Sequence, residues 1–362
     1  MVLEREPGSG SPGGLEHTRL LAAFLETYRL QVRDIAFELL RLRTPRWRFA
    51  WMLEPTVYTL ERRRNLFRAA FSLAAGNAIG RPQQGLVAGA AGELGWTCAL
   101  MLDDILDRSG EREGHPAAHV VFGRARTLLA VVATLLVVMW SGARTPRLAR
   151  RARLRMEWLG LRLLVVCALS AVRPPRRPDW RAYARHARNI NNSTHWAVLA
   201  PLALGADDRL RGAALQYADA ASLNGKLRND LLDFCGGSSE SDTRFKDFEE
   251  RSISFPVLAL LARPLAPSDR AAVTRHFAGA GPSPLTPARM CSLLSRSGAL
   301  RDYLDAMRTN AEQAFGAAAA AEACGADELA SLMRRWSHCV LDVATERAQT
   351  IVEPEPAPAA LT

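Results

Sequence analysis

The sequence predicts an all-α fold, organised as one helical bundle, and three observations predict it. Apolar residues recur at helical spacing through nearly the whole chain. Gly, Pro and polar clusters punctuate those runs, as at Arg173-Pro174-Pro175, Gly236-Gly237-Ser238-Ser239 and Gly281-Pro282-Ser283-Pro284. No alternating Val/Ile/Thr stretch is long enough to read as a strand. With 362 residues, 48% of them hydrophobic, the chain has enough apolar material to bury one large core.

In order along the chain, residues 1–15 and 353–362 are rich in Gly, Pro and Ala and read as disordered tails around a single domain at 16–352. Helical segments are expected at 17–43, 56–78, 84–107, 117–141, 146–172, 179–204, 208–234, 253–263, 268–280, 299–323 and 326–352. The most apolar window, Leu128 to Trp140, is interrupted only by Thr134. It falls short of the roughly 20 residues a spanning helix needs, so a buried core helix is expected and a transmembrane segment is not.

The formal charge of +10 raises nucleic acid, an anionic membrane or a polyanionic ligand as partners. The excess is mostly Arg, densest at Arg62-Arg63-Arg64, Arg144 to Arg155 and Arg173 to Arg181, and no nucleic-acid motif accompanies it, so that partner is discounted. Cys98, Cys167, Cys235, Cys291, Cys324 and Cys339 are scattered without the spacing of a zinc site, and the first residues lack the apolar core of a signal peptide. A cytoplasmic location with reduced thiols is the expectation. His115 and His119 lie four apart, but Pro116 intervenes and a third ligand is missing, so they are read as structural.

Two acidic clusters stand out, each closing a long apolar helix and followed by a polar loop. They are Asp103-Asp104-Ile105-Leu106-Asp107 and Asn229-Asp230-Leu231-Leu232-Asp233, about 125 residues apart. Residues four apart on a helix share a face with Cβ atoms roughly 5–6 Å apart, so the first and last carboxylates of a cluster repel one another. A divalent cation is the natural compensation. Hard oxygen ligands without Cys or His suit magnesium, whose shell is usually completed by water and phosphate oxygens. Asp103, Asp104, Asp107, Asn229, Asp230 and Asp233 are the candidate metal ligands, with Asp103, Asp104, Asp107 and Asp230 as the candidate catalytic carboxylates. Metal held in this way can polarise a diphosphate until its carbon–oxygen bond breaks, which requires an apolar, water-excluding pocket behind the carboxylates.

With these motifs in place the sequence resembles the polyprenyl synthetase family of trans-prenyltransferases. Asp103 to Asp107, continued by Arg112-Glu113-Gly114 and by Pro116 to His119, is similar to the family's first DDxxD motif with its trailing RRG; Asn229 to Asp233 is similar to the second. Asp247 to Pro256 fits DxxEGKxTxP in register. The resemblance implies the isoprenoid synthase bundle around an apolar cavity, magnesium as cofactor, an allylic prenyl diphosphate as substrate, and a homodimer.

The sequence departs from the family at several places. Trp96 stands where elongating members have a His, and Glu113 replaces the second Arg of RRG; both positions serve isopentenyl diphosphate in the family. The upstream GKRLRP element is echoed only loosely by Glu61 to Arg68. Ser193-Thr194 stands for a Lys-Thr pair, and Ser252 for the Lys of the third motif. Arg112, Lys226, Arg228, Lys246 and Arg251 are therefore the candidate diphosphate-binding cations. Asn229 resembles the Asn that opens the class I terpene synthase metal motif.

Trp96, Cys98, Ala99 and Thr194 are the candidate pocket residues. Trp96 reads either as core packing or as an aromatic wall facing a cation or an aromatic acceptor. Cys98 and Ala99 are small where the family shortens the hydrocarbon pocket with aromatics, so a substrate of fifteen or twenty carbons is expected. The leading expectation is transfer of the prenyl group to an acceptor other than isopentenyl diphosphate, for example an aromatic such as indole. Terpene cyclisation comes second; chain elongation and a non-catalytic regulatory subunit follow.

Overall fold

The computed structural model describes residues 30–40, 50–63, 66–141, 158–159, 161–162, 179–235, 245–279 and 285–352. In chain order these form α1 (residues 30–40), α2 (Ala50–Arg62), α3 (Phe67–Ala78), α4 (Pro82–Leu106), β1 (Glu111–Arg112), β2 (His115–Pro116), α5 (Ala118–Phe122) and α6 (Arg124–Ser141). Then come α7 (Trp180–Ile190), α8 (Ser193–Leu202), α9 (Asp208–Cys235), α10 (Lys246–Glu249), α11 (Phe255–Ala262), α12 (Pro267–Phe277), α13 (Pro287–Arg296), α14 (Ala299–Glu322) and α15 (Asp327–Val352). The expected tails, residues 17–29 and most of the expected helix at 146–172 lie outside the described residues.

Local chemistry sets the boundaries. Gly80 at φ +66 turns the chain out of α3, Arg81 N–H donates to Gly76 O at 2.7 Å, and Pro82 opens α4 where a missing N–H costs nothing. The expected helix at 117–141 splits at Gly123 (φ +81), and the one at 179–204 splits at Asn191-Asn192. α13 was not expected; its signals are Pro287 in the first turn and Thr286, whose hydroxyl accepts from Arg289 N at 3.2 Å. Between α4 and α5 the chain makes a two-residue hairpin in which Glu111 pairs with Pro116 and both loop residues, Glu113 (φ +52) and Gly114 (φ +77), are left-handed.

α9 runs through the core. Its first half buries Ala214, Tyr217 and Ala218 with Ala314, Ala317, Ala318 and Ala321 of α14 and Leu329 and Met333 of α15. Small side chains on α14 let these axes approach closely. The second half of α9 packs Leu227, Leu231 and Phe234 with Phe255, Tyr303 and Met307, and the Tyr303 hydroxyl donates to Leu227 O. α3 and α4 meet through glycine: a Cβ on Gly85 would stand 2.5 Å from Ser72 O, and one on Gly89 would stand 2.9 Å from Ala69 Cα. These contacts fix the direction of α4, and so the position of the carboxylates at its end.

α6 corrects an expectation. Its buried face carries Thr127, Ala130, Val131, Thr134 and Val137, with Thr134 hydrogen-bonded to Thr56 at 2.8 Å, whereas Leu128, Val132 (55% exposed) and Leu136 (60% exposed) face outward. The long apolar window is thus a helix with its larger aliphatics on the outside. Among the described residues, one helix, α4, is long and apolar enough to cross a membrane, and most of it is buried against neighbouring helices.

Gly85→Ala is expected to destabilise the protein by roughly 1–3 kcal/mol through overpacking against backbone. Gly95→Ala, on the same helix where a Cβ meets nothing within 4 Å, is expected to leave stability unchanged or raise it. Thermal unfolding of the two variants side by side checks this.

Candidate active site

Each acidic cluster sits on the last turns of a long helix and divides in the same way. Asp103 and Asp107 share one face of α4 and are 56% and 39% exposed, while Asp104, about 100° further round, is buried. In α9, Asn229 is exposed, Asp233 half-buried and Asp230 buried. The structure joins the two faces. Lys246 Nζ lies 2.8 Å from Asp107 Oδ2, while its own segment is tied to α9 by Phe245 N–H to Asp233 O at 2.7 Å and Asp247 N–H to Asp233 Oδ1 at 3.2 Å.

The buried carboxylates are each met by a cation. Arg112 donates through Nε (2.9 Å) and Nη2 (2.5 Å) to Asp104 Oδ1, and through Nη2 to Asp103 Oδ2 at 2.9 Å. Burial raises the Asp104 carboxyl above its ordinary range against the pull of Arg112. Asp230 Oδ1 is 2.6 Å from Lys226 Nζ, and its Oδ2 accepts from Phe255 N–H at 3.0 Å. Burial works against the Lys226 charge, but Asp230 and the phenol and carboxyl of Tyr183 and Asp247 outweigh it and hold the ammonium above its usual range.

Asp233 has the opposite balance. Burial, with the Asp247 charge beside it, pushes its carboxyl up to about 7. Its Oδ2 is buried without a hydrogen-bond partner. Such an oxygen suits a cation, and the donor set of carboxylate and amide oxygens suits a hard one. Among the described residues no group of three or more His, Cys, Asp or Glu is gathered around one point, His115 and His119 included.

The remaining expected residues are placed as follows. Arg228 donates to Asn229 Oδ1 at 3.0 Å, and burial lowers its pKa. Arg251 has a left-handed backbone (φ +58) and sends its guanidinium toward Gly279 at the end of α12. Cys98 is packed with Met101, Ala118 and Val131 in the seam of α4 with α5 and α6, where burial pushes its thiol up to about 12; Ala99 is half-buried and Thr194 buried.

Trp96 is covered by a residue that the sequence reading passed over. The Arg68 guanidinium carbon lies 3.8 Å from the Trp96 ring centre and 4.3 Å from that of Phe67, and Arg68 Nε donates to Ser193 Oγ at 2.7 Å. Phe67 in turn stacks on Trp336 of α15 at 4.1 Å. Burial lowers Arg68 to about 9, against the supporting charge of Glu93. Glu93, fully buried, also pairs with Arg63 at 2.7 Å and accepts from Ala69 N–H at 3.2 Å. A lone carboxylate inside the apolar run of α4 was the legible signal for this network, since a charge there requires a partner.

Comparison with known proteins follows the same lines. Residues 49–159 match the family model described as Polyprenyl synthetase. Among solved structures, the chain is similar to a decaprenyl diphosphate synthase from Rhodobacter capsulatus (TM-score 0.75, 19% identity, 90% of this chain and 98% of that one). It is also similar to a polyprenyl synthase from Caulobacter crescentus complexed with calcium and isoprenyl diphosphate (0.73, 19%, 93% and 99%). A third similar structure is a geranylgeranyl pyrophosphate synthase from Corynebacterium glutamicum complexed with isoprenyl diphosphate and magnesium (0.65, 18%, 90% and 99%). Comparison with curated protein sequences gave no match.

At these identities the structural likenesses carry the fold, and the family match is confined to residues 49–159. Together they give the chain the all-α fold of these synthases and a stretch, residues 49–159, that is similar to the polyprenyl synthetases.

Glu93→Ala is expected to destabilise the fold by roughly 3–5 kcal/mol, because Arg63 is left buried without its partner. Replacing Arg63 and Glu93 together with Met is expected to recover part of that loss, since buried Arg68 still lacks the Glu93 charge. Urea unfolding of the single and double variants measures both.

Proposed function

We propose that this protein ionises an allylic prenyl diphosphate of fifteen or twenty carbons with magnesium and transfers the prenyl group to an acceptor other than isopentenyl diphosphate, an aromatic such as indole being one candidate. The observation that carries the choice of acceptor is Trp96, which stands where elongating members of the family have a His and whose ring is covered by the Arg68 guanidinium at 3.8 Å. Glu113, in the left-handed turn of the hairpin, supports it by presenting a carboxylate where the family has a second Arg.

Asp103 and Asp107 on one side, with Asn229 and Asp233 on the other, are the oxygens that hold magnesium in this reading. Neutralising charge on the leaving diphosphate is the chemistry that magnesium supplies when bound there. Asp104 and Asp230 act from behind. The first fixes Arg112 beside Asp103; the second fixes Lys226 and the N–H of Phe255, so that both helix ends keep their geometry when the anion arrives. Arg112 and Lys246 are the cations closest to the exposed carboxylates and are assigned to the diphosphate oxygens.

The protein is further proposed to act as a homodimer in the cytoplasm. The outward stripe of Leu128, Val132 and Leu136 on α6 supports the dimer, since aliphatics of this size at helical spacing fit a second apolar helix.

Incubation of purified protein and magnesium with farnesyl or geranylgeranyl diphosphate separates the readings. Consumption that needs an added aromatic acceptor supports transfer. A hydrocarbon or alcohol formed from the prenyl diphosphate alone replaces transfer with cyclisation, and a strict need for isopentenyl diphosphate restores elongation. Asp103→Ala is expected to remove nearly all turnover in any of these. Val132→Glu with Leu136→Glu is expected to halve the mass seen by light scattering, and an unchanged dimer mass would place the interface elsewhere.

A further inference from the structure

Lys246 opens α10 between the two acidic helix ends. Its ammonium is 2.8 Å from Asp107 Oδ2 and 3.4 Å from Ser109 Oγ, both beyond the end of the apolar part of α4, and 3.9 Å from Glu250 Oε1 of its own segment. Its backbone belongs to the other side of the mouth. The flanking N–H groups of Phe245 and Asp247 both donate to Asp233, and Glu250 N–H donates to Lys246 O at 2.9 Å. Phe245 is held in the left-handed region at φ 66, a conformation unusual for an aromatic residue. The side chain thus crosses from the Asp233 side to grip the last carboxylate of the first cluster.

We infer that Lys246 is a latch that is handed over: it neutralises Asp107 while the site is unloaded, is displaced when a divalent cation takes that carboxylate, and then binds the substrate diphosphate. The inference rests on the metal-dependent reading above and deepens it. Asp107 cannot serve an ammonium and a dication equally, because the two positive charges repel across one carboxylate. Once released, Lys246 stays at the mouth, since its backbone is held by Asp233, and its four-carbon stem lets the ammonium swing without moving α10. The diphosphate is the anion that arrives there. Ser252 leaves the third motif without the lysine that the resemblance places in that turn, so Lys246, six residues earlier, supplies a cation from the other end of the same segment.

Two predictions of opposite sign distinguish a latch from an ordinary surface pair. Loss of the ammonium tightens binding of the metal alone and weakens binding of the anion. The experiment measures Mn2+ binding to the full chain without diphosphate, by electron paramagnetic resonance of free Mn2+, and then inorganic pyrophosphate binding at saturating Mn2+ by calorimetry. Lys246→Met is expected to bind Mn2+ about threefold or more tightly, and pyrophosphate roughly tenfold more weakly, than the unaltered protein. Lys246→Arg is expected to stay close to the unaltered protein in both. Lys246→Gln serves as a second neutral variant should the Met variant fold poorly. Unchanged or weaker Mn2+ binding in both neutral variants overturns the latch, and unchanged pyrophosphate binding overturns the handover. Failure of the unaltered protein to bind Mn2+, with or without pyrophosphate, would instead overturn the metal-dependent reading itself.

Discussion

The arrangement of the site depends on one electrostatic constraint: carboxylates are gathered at the C-terminal ends of two helices, the ends where they are least welcome. A helix C-terminus carries partial negative charge from its unpaired carbonyls, so each acid there is disfavoured by roughly 0.3–1 kcal/mol before its neighbours are counted. Asp103, Asp104 and Asp107 close α4, and Asp230 and Asp233 close α9. Repulsion within each cluster adds to that of the dipole. The chain answers with Arg112 on the first cluster, Lys226 on the second and Lys246 between them. Asp233, given backbone donors but no cation within its own pair, is the group whose carboxyl is driven furthest, to about 7.

The same constraint explains the division of labour within each triplet. One carboxylate per cluster is withdrawn from solvent and met there by a protein cation, Arg112 on Asp104 and Lys226 on Asp230. The residues four apart stay at the mouth with their oxygens oriented by that buried neighbour. Arg112 illustrates the coupling, since one Nη2 atom serves buried Asp104 and exposed Asp103 together. Geometry at the mouth is therefore set from inside the bundle, by contacts that begin at the glycines of the α3–α4 seam and end at Asp104.

Much of this was legible in the sequence, because helical periodicity and the i, i+4 spacing of acids are local properties. The pairing of Asp103 with Asp107 and of Asn229 with Asp233 on one face each follows from spacing alone. Burial around α6 was not legible. Its hydropathy is high all round, and only the tertiary contact of Thr134 with Thr56 reveals that the small and polar face points inward. The partners of Cys98 were hidden for a similar reason, since its distance from Asp103 is local information while the helix it touches is not. Arg68 is visible in the sequence only as the end of the basic stretch from Glu61, and its position over Trp96 requires α3 and α4 to be packed before the two residues can meet.

That packing bears on where a prenyl cation can be used. Trp96 lies seven residues before Asp103, two helical turns or roughly 10 Å below the mouth. Glu93 is one carboxylate supporting two guanidiniums, Arg63 and Arg68, so the network at this depth keeps a net positive charge. At an effective dielectric of about 20, like unit charges 10 Å apart repel by about 2 kcal/mol, and by about 4 kcal/mol at 4 Å. A cation migrating inward, as successive ring closures require, would climb that gradient. In the reading proposed above, a cation captured at the mouth stays beside carboxylates and the departing diphosphate and avoids that gradient, which supports transfer to a second molecule over cyclisation.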